Sequence, residues 1–553
     1  MFSQSFPAFA WVKHIAGSNN EYINASTIDN SGNIYITGGF EGSVDFDPGP
    51  GLFTLTAVGQ RDVFIAKYSS TGVLLWAKQI SGSQDEESFA ITVDNTGNVY
   101  VAGEFESTAD FDPSSSAYDL TAKGGVDIFL LKLDASGNFV WVNHCGGTNQ
   151  ESPQTIALDN TNNVYIAGYF IGTVDFDPST SVFNLTASGG SDAFLAKFNA
   201  NTGSFQWAKQ FAGSSPTDRS GISKILIDAT GNFYVAGSFH GIVDFDTGPG
   251  TSTLTSSGMN DDFFICKLDN TTNIIWLKYL DVSGISILTN LHIDTNGDLL
   301  VTGDFESTCD FDPGPGVFNL TSNGLSDVFL LKLSSAGTFI WALSLGGSTG
   351  YDLGHSLLTT TTNDILLLGS YQGTVDFDPG TPIYQISSDM DSWDIFILKL
   401  TSAGNFQWVK SVGGAESDFP VSIHQDGFEN LYITGSFTGT CDFDPDLFTF
   451  YLSANQIDAF ILKLNASLTA DNTADTKIYF QVYSAVGNEC LYIHSNVRQS
   501  YIVEVFDTTG KKVFQGHNTA VISKHSFSAG VYYLCLQDTD TQVWQVHRFV
   551  VER

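Results

Sequence analysis

Short apolar segments alternate with glycine-rich turns along most of the chain, and one block of this pattern recurs. In the second block, residues 90–93 and 98–103 are joined by Asp94-Asn-Thr-Gly97, and residues 127–133 and 139–143 by Asp134-Ala-Ser-Gly137. Such turns between apolar segments are typical of β-hairpins. The run Ile128-Phe129-Leu130-Leu131 is apolar at every position, which predicts a strand buried on both faces. Each block therefore predicts four short antiparallel strands, A to D, and no helix.

Four landmarks define the period of the repeat. The tripeptide Asp-Phe-Asp occurs seven times, at intervals of 65, 65, 69, 66, 66 and 66 residues. A glycine at the end of strand B, the segment Asp-x-Phe-x-x-Lys in strand C and a tryptophan in strand D recur with it. Four-stranded units of even spacing are typical of β-propellers. The sequence thus predicts an all-β fold with a seven-bladed β-propeller.

The two ends of the repeat array predict a closed ring. The seventh copy supplies strands A, B and C, but no tryptophan strand follows Leu464. An unpaired copy of that strand, residues 9–13, lies at the N-terminus. We therefore predict that the first strand completes the last blade, because closure removes sheet edges on which other chains could pair.

Composition and charge narrow the classes of function. The 553 residues include 23 Lys and Arg against 60 Asp and Glu, a formal net charge of −37. Nucleic-acid binding needs a basic face, so that class is excluded, and an anionic membrane surface is an equally poor partner. Charged residues make up only 15% and hydrophobic residues 42%, which argues against a disordered acidic chain. No apolar run approaches the roughly 20 residues that span a bilayer, and we predict a monomer.

Successive strands of a blade alternate in direction, so alternate connectors lie at the same end of the blade. This arrangement places many acidic residues on one rim of the predicted ring. The connectors between strands B and C lie at the same end as the links between blades, and each carries Asp-Phe-Asp. The two carboxylates stand on one side of an extended segment and the Phe on the other. They can cap backbone amides, bind Ca²⁺ or contact a ligand. The candidate binding residues are Asp45, Asp47, Asp110, Asp112, Asp175, Asp177, Asp244, Asp246, Asp310, Asp312, Asp376, Asp378, Asp442 and Asp444.

No motif of a known catalytic site accompanies the repeats. The sequence contains no Ser-His-Asp order, HExxH, P-loop or paired Cys/His cluster. The strand-C lysines recur in all seven copies, which predicts a structural aspartate partner for each. Residues that break the symmetry occupy different repeat positions: His144, His240, His292, His355, His424, Arg61 and Arg219. The leading hypothesis is a non-catalytic protein that binds a glycan, a surface protein or a cation. The alternatives are a polysaccharide-active hydrolase or lyase, whose carboxylate pair the sequence does not locate, and a purely structural surface protein.

Residues 9–465 resemble the bacterial seven-bladed β-propeller repeat family. The resemblance rests on Gly-Asn, an aromatic strand, Gly, then Asp-x-Phe-x-x-Lys and a tryptophan strand, and all seven copies match. It implies the fold and an extracytoplasmic setting, and no defined substrate or reaction.

The C-terminal region has a different composition. Residues 465–476 are polar and free of aromatic side chains, and a short β-rich module follows. We predict a propeller over 1–466, a linker over 467–476 and a small β-sandwich over 477–553. Residues 471–553 hold 7 basic and 8 acidic residues, so almost all of the net charge belongs to the propeller.

This module resembles the C-terminal sorting domain of the type IX secretion system of Gram-negative bacteria. The matching segments are 506–513, 528–534 and 547–551, although the usual Pro-Asn-Pro near the start is missing. The resemblance implies interaction with the type IX machinery, with the protein released or held at the outer-membrane surface. The residues that carry the sorting signal are Gly510, Lys511, Gly530, Tyr532, Arg548 and Phe549.

Export by this route requires an N-terminal signal peptide. Residues 1–10 contain no basic residue and no apolar core of the required length. We therefore expect the true start of the protein to lie upstream.

Overall fold

The chain divides into two compact units, Met1–Ser467 and Leu468–Arg553. A computed structural model describes residues 7–282, 284, 286–389, 392–446 and 449–466 of the first unit. In the second unit it describes residues 480–483, 490–495, 501–507, 511–517, 521–523, 527–528, 530–538 and 544–551. The described residues form β-strands and turns and no α-helix, which confirms the predicted all-β class. None of them forms a helix long and apolar enough to cross a membrane.

Seven four-stranded antiparallel sheets, called blades below, make up the first unit. The A strands are Glu21–Ile28, Glu86–Val93, Glu151–Leu158, Arg219–Ile227, Ile287–Ile293, Leu353–Thr359 and Asp418–Gln425. The B strands are Ile34–Phe40, Val99–Asp110, Asn163–Phe170, Phe233–His240, Leu299–Phe305, Ile365–Tyr371 and Leu431–Asp442. The C strands are Asp62–Tyr68, Asp119–Leu133, Asp192–Asn199, Asp262–Leu268, Asp327–Leu333, Asp394–Leu400 and Tyr451–Asn465. The D strands are Leu74–Gly82, Phe139–Gly147, Phe205–Gly213, Ile274–Leu280, Phe339–Gly347, Phe406–Gly414 and, for blade 7, Ala8–Gly17.

The blades close into a ring through their A strands and through the N-terminal strand. Each A strand contacts the A strand of the next blade, and the A strand of blade 7 contacts that of blade 1. The strand Ala8–Gly17 pairs antiparallel with Tyr451–Asn465, in a register that runs from Ala8 opposite Asn465 to Ile15 opposite Ala459. This is the closed arrangement that the propeller prediction requires.

A β-hairpin in each connector between strands B and C joins neighbouring blades. In blades 2 and 7 the hairpin continues strands B and C. In the other blades it is a separate pair: Ser43–Asp45 with Thr54–Thr56, Thr173–Asp175 with Asn184–Thr186, Ile242–Asp244 with Thr253–Thr255, Thr308–Asp310 with Asn319–Thr321, and Thr374–Asp376 with Gln385–Ser387. At six junctions the first hairpin strand also pairs with the end of strand D of the preceding blade.

The apolar core consists of seven clusters, each shared by neighbouring blades. The cluster between blades 7 and 1, for example, combines Ile15, Phe46 and Phe64 with Tyr432 and Ile461. The apolar run of residues 128–131 in blade 2 is buried throughout, as predicted, and so is every residue of the C strands in blades 1 and 5. Each blade thus buries both of its faces against its neighbours.

The second unit contains two antiparallel sheets. One comprises Phe480–Tyr483, Cys490–Ser495 and Val521–Ser523, and the other Lys512–His517, Tyr501–Asp507, Gly530–Asp538 and Trp544–Val551. Of the predicted sorting residues, Lys511 is exposed, and the buried Tyr532 donates its hydroxyl to Ser528 O at 2.9 Å. Gly530 begins a strand, and Arg548 and Phe549 lie opposite Tyr533 and Tyr532 in the next one. Gly510 and the predicted linker 467–476 lie outside the described residues.

Candidate binding site

The fourteen Asp-Phe-Asp carboxylates lie in the predicted connectors, where they cap backbone amides. In blade 1, Asp45 Oδ1 accepts hydrogen bonds from the N–H groups of Asp47 (3.0 Å) and Phe53 (2.8 Å), and Asp47 Oδ1 accepts one from Gly49 (2.8 Å). All seven copies share this pattern. The intervening Phe is buried in every copy. These bonds are those of the capping alternative, and a role in binding Ca²⁺ or a ligand stays a prediction.

Removing one of these caps should destabilise the protein locally. Asp310→Ala leaves the N–H groups of Asp312 and Phe318 without their acceptor. We expect the free energy of unfolding in urea to fall by about 1–3 kcal/mol, the usual cost of losing hydrogen bonds to a charged group. Asp310→Asn keeps an acceptor oxygen and should recover most of the loss. Equal destabilisation by the two substitutions would contradict the capping role.

The strand-C lysines have structural partners, but among the described residues the predicted aspartate is present in only three of the seven blades. In blades 4, 5 and 6 they approach an aspartate of the A–B turn of the same blade, and the shortest of these distances is 2.8 Å from Lys332 Nζ to Asp294 Oδ2. In blades 1, 2, 3, 4 and 7 the ammonium lies 4.4–5.2 Å from the centre of a tyrosine ring. These lysines therefore stabilise the scaffold.

The centre of the ring holds a cavity of about 210 Å³, lined by residues from the A strands of all seven blades. Each A strand contains a β-bulge at the same repeat position. A bulge leaves one residue without a cross-strand partner and re-aims its side chain. The seven bulged residues all line the cavity and differ in identity: Asn24, Phe89, Gln154, Ser223, Thr289, His355 and Val421. The cavity lining therefore differs from blade to blade, whereas the strands and bulges that carry it are the same in all seven blades.

The cavity lining has an apolar side and a polar side. The side formed by blades 7, 1 and 2, called the apolar side below, includes Val421, Ala25, Phe89 and Ala90, although the polar residues Asn24, Ser26 and Ser422 also lie on it. The polar side, from blades 3 to 6, includes Gln154, Ser223, Lys224, Thr289, Asn290 and His355. None of the described lining residues is an aspartate or a glutamate. The cavity thus differs sharply in charge from the acidic rim.

Lys224 is the only lysine or arginine among the described lining residues. It follows the bulge of blade 4, and burial lowers the pKa of its amine. Burial, together with the charge of Lys224, also lowers the pKa of His424 to about 4. Lys224 thus lines the cavity from the side of the ring opposite His424, which belongs to blade 7.

Three histidines lie in or directly behind the lining, and all are neutral at physiological pH. Burial lowers the pKa of His292, His355 and His424 to about 4. His355 Nε2 lies 3.0 Å from Ser370 Oγ, and His424 Nε2 lies 2.9 Å from Ser26 Oγ. The sequence identified these histidines as breaking the symmetry, but it did not place any of them at the cavity.

A charged cluster lies beside the cavity, in blades 1 and 2. Arg61 Nη1 lies 3.0 Å from Glu87 Oε2, and Glu87 Oε1 accepts a hydrogen bond from the cavity residue Asn24 at 2.8 Å. Glu104 faces Glu87 across the strand pair. Burial, followed by the charges of Glu87 and Glu106, raises the pKa of Glu104 to about 7. Sequence reasoning noted Arg61 but not its two glutamate neighbours.

Buried carboxyl pairs occupy five of the seven blade junctions. Each joins an acidic residue at or just before the start of an A strand to an aspartate of strand C in the preceding blade: Glu21 with Asp458, Glu86 with Asp62, Glu151 with Asp127, Asp352 with Asp327, and Asp418 with Asp394. The equivalent position is a serine in the other two blades, Ser220 and Ser286.

The glutamates of these pairs hold protons at neutral pH. Burial, followed by the charge of the neighbouring aspartate, raises the pKa of Glu21 to about 9 and the pKa of Glu86 and Glu151 to about 8. Both carboxyl oxygens of Glu21 and of Glu86 are buried without a hydrogen-bond partner. The described residues contain no group of three or more His, Cys, Asp or Glu side chains that could hold a metal ion.

Comparison with known families concerns the C-terminal region. Residues 482–552 match the secretion system C-terminal sorting domain family. The match agrees with the predicted type IX sorting module and points to a secreted or cell-surface protein. The repeat family proposed for residues 9–465 stays a prediction.

Two curated proteins are similar to parts of the chain. An uncharacterized WD repeat-containing protein of Acanthamoeba polyphaga mimivirus is 24% identical over 477 residues, which covers 71% of this chain and 34% of that protein. The regulatory protein FlaEY of Caulobacter vibrioides is 26% identical over 144 residues, which covers 25% of this chain and 14% of that protein. The chain thus spans about a third of the length of the first relative and about a seventh of the second.

Solved structures give only distant matches. PorZ, a surface component of the type IX secretion system of Porphyromonas gingivalis, is 11% identical, with a TM-score of 0.28 and coverage of 100% of this chain and 87% of that one. A europium-containing methanol dehydrogenase is 10% identical, with a TM-score of 0.36 and coverage of 82% and 93%.

Proposed function

We propose that the type IX machinery exports this protein and that its ring binds a ligand in the central cavity without transforming it. The sorting domain supports export. The variation of the cavity lining supports binding, because the seven bulged positions differ while the surrounding repeat landmarks are constant. A purely structural ring could fill its centre with one repeated residue.

The lining also supports a class of ligand. A cavity of about 210 Å³ is smaller than the ~300–1,000 Å³ of most drug-sized sites. It suits a small molecule, or one terminal unit of a glycan that enters from a mouth of the ring. The apolar side can contact a ring face, and the polar side offers amide, hydroxyl and amine donors.

A glycan array probed with the full-length chain tests this function. His355→Val copies the residue of blade 7 at the same repeat position and removes one polar cavity group. We expect it to weaken binding about tenfold, the usual cost of one lost hydrogen bond. His240→Val, which removes a histidine outside the cavity lining, should leave binding unchanged. Binding that tolerates both substitutions would place the ligand elsewhere, for example on the acidic rim.

A polysaccharide-active enzyme is the second candidate, and the Arg61, Glu87 and Glu104 cluster favours it. A glutamate with a pKa near 7 beside a second carboxylate is the arrangement of a general acid and its partner in glycoside hydrolysis. The glycans that bind in the array can be incubated with the protein and assayed for new reducing ends. Their absence agrees with a binding protein, whereas their release would favour the enzyme.

A further inference from the structure

We propose that the ligand of the central cavity carries an oxyanion, such as a carboxylate, and that Lys224 binds it. This inference rests on the proposed binding function and adds the chemical class of the ligand. Four observations carry it: the lack of a partner for Lys224, the neutral residues at its repeat position, the donors around it and the apolar side that faces it.

Lys224 has no ion pair or hydrogen bond from its side chain to any described residue. The first unit contains most of the 60 acidic residues of the chain, yet none of them lines the cavity. Lys224 is half-buried, and an ammonium that loses part of its hydration without gaining an opposite charge is destabilised. An incoming anion would supply the missing charge.

The fold does not require a lysine at this position. The residue after the bulge is alanine in blades 1 and 2, asparagine in blade 5 and serine in blade 7: Ala25, Ala90, Asn290 and Ser422. The same strand geometry therefore accepts small neutral side chains. The costly lysine of blade 4 is better explained by a ligand than by packing.

Further hydrogen-bond donors line the cavity, from blades 4, 5 and 7. The side chains of Ser223, Asn290 and Ser422 line the cavity and make no hydrogen bond to described residues. An amide N–H and two hydroxyl groups can donate to the oxygens of an anion, and Lys224 supplies the charge. Such charge-assisted hydrogen bonds are about twice as strong as neutral ones.

The size and the apolar side limit the rest of the ligand. A volume of about 210 Å³ equals roughly seven water volumes. Phe89 and Val421 stand in blades 2 and 7, opposite the polar side. The site therefore suits a compact organic anion with one apolar or ring face, such as a small carboxylic acid or the uronic acid unit of a glycan.

Calorimetric titration of the full-length protein with defined probes tests this assignment. The probes are glucuronate and benzoate, each with its neutral counterpart, glucose and benzamide, and sulfate as a bare oxyanion. We expect at least one carboxylate to bind about 10- to 100-fold more tightly than its neutral counterpart, the usual range for a hydrogen bond to a charged group. Sulfate should bind more weakly than that carboxylate, because it leaves the apolar side uncovered.

Two asparagine variants make the test specific to Lys224. Lys224→Asn copies Asn290 of blade 5 and should reduce the affinity for the carboxylate about 10- to 100-fold, with little effect on its neutral counterpart. Lys278→Asn copies Asn143, which holds the equivalent place on the D strand of blade 2, and should change neither. Thermal unfolding of both variants checks that the ring remains folded.

Several outcomes would overturn the assignment. It fails if neither carboxylate binds, if each neutral counterpart binds equally well, or if Lys224→Asn leaves the affinity unchanged. Neutral glycans whose binding depends on His355 would then retain the proposed function while rejecting the oxyanion. If neither Lys224→Asn nor His355→Val changes the binding of any probe or glycan, both the proposed function and the oxyanion assignment are rejected.

Discussion

Raising the pH from about 7 to about 9 should steadily lower the free energy of unfolding of this protein. Each carboxyl group that is protonated only in the folded state contributes a slope of about 1.4 kcal/mol per pH unit. Glu21, Glu86 and Glu151 are such groups, because their pKa values lie at about 8 to 9 in the fold. Urea denaturation at intervals of one pH unit measures the slope.

The direction of this pH dependence follows from which state, folded or unfolded, holds more protons. Between the ordinary pKa of a glutamate, 4.5, and the raised value of 8 to 9, the folded chain holds protons that the unfolded chain has lost. Unfolding therefore releases protons, and higher pH favours the unfolded state. Above about pH 9 these three groups add no further slope. Most acidic residues in proteins show the opposite behaviour, because ion pairs and hydrogen bonds lower their pKa.

Variants separate this effect from the general repulsion of a highly charged chain. The triple change Glu21→Gln, Glu86→Gln and Glu151→Gln should reduce the slope of the pH profile, because glutamine resembles the protonated acid. Glu86→Ser copies the natural serine of blade 4 and should remove the share of one group. A matched change of three exposed carboxylates, Glu429, Asp119 and Glu416, should leave the slope in place. Wild-type stability that is constant or rises between pH 7 and pH 9 would refute the raised pKa values of these glutamates.

Deleting residues 1–17 should abolish cooperative folding of the ring. The strand Ala8–Gly17 buries Phe9, Val12 and Ile15 between blades and pairs with residues 459–465 of strand C in blade 7. Its loss exposes an unpaired sheet edge and removes three buried side chains, each worth about 2–5 kcal/mol. The sum approaches the total stability of a typical domain, about 5–15 kcal/mol. Thermal unfolding and size-exclusion chromatography should show loss of the sharp transition and self-association.

Complementation tests whether closure itself is responsible. A synthetic peptide of residues 7–18 should restore the transition of the truncated chain, and the same peptide with Ile15→Asp should not, because Ile15 is fully buried. A chain that lacks only residues 1–6 provides the control and should unfold like the wild type. If the chain without residues 1–17 unfolds cooperatively at the wild-type temperature, the closing strand has no part in stability.

The fold of the first unit could be predicted from the sequence because the chain contains a regular repeat. Seven copies of Asp-Phe-Asp gave the number of blades, and the unpaired strand at residues 9–13 gave the closure, because both depend only on spacing. Hairpin turns and fully apolar C strands are local signals, so the strand order also followed. The class of the C-terminal module rested on matching residues in three segments.

The residues that line the cavity could not be predicted from the sequence in this way. A bulge shifts the alternation of a strand by one residue, so the pattern of strand A does not show which side chain turns inward. In the sequence, nothing distinguishes Lys224 from the other polar residues. Only the structure shows that it follows a bulge and lies at the centre of the ring. The carboxyl pairs could not be predicted from the sequence either, since Asp458 and Glu21 come together only when the ring closes. A comparison of the seven A strands position by position would have shown one lysine among small neutral residues.

The bulges have a consequence for how such a ring can change over time. The bulged residue lies outside the register of its strand pair, so its replacement leaves the hydrogen bonds on either side in place. Each blade thus offers one position where sequence can drift without loss of the fold. Duplication of a blade would supply a stable copy, and later substitution at that single position would alter the ligand. The same seven positions offer protein engineers a compact library for recognition of new small molecules.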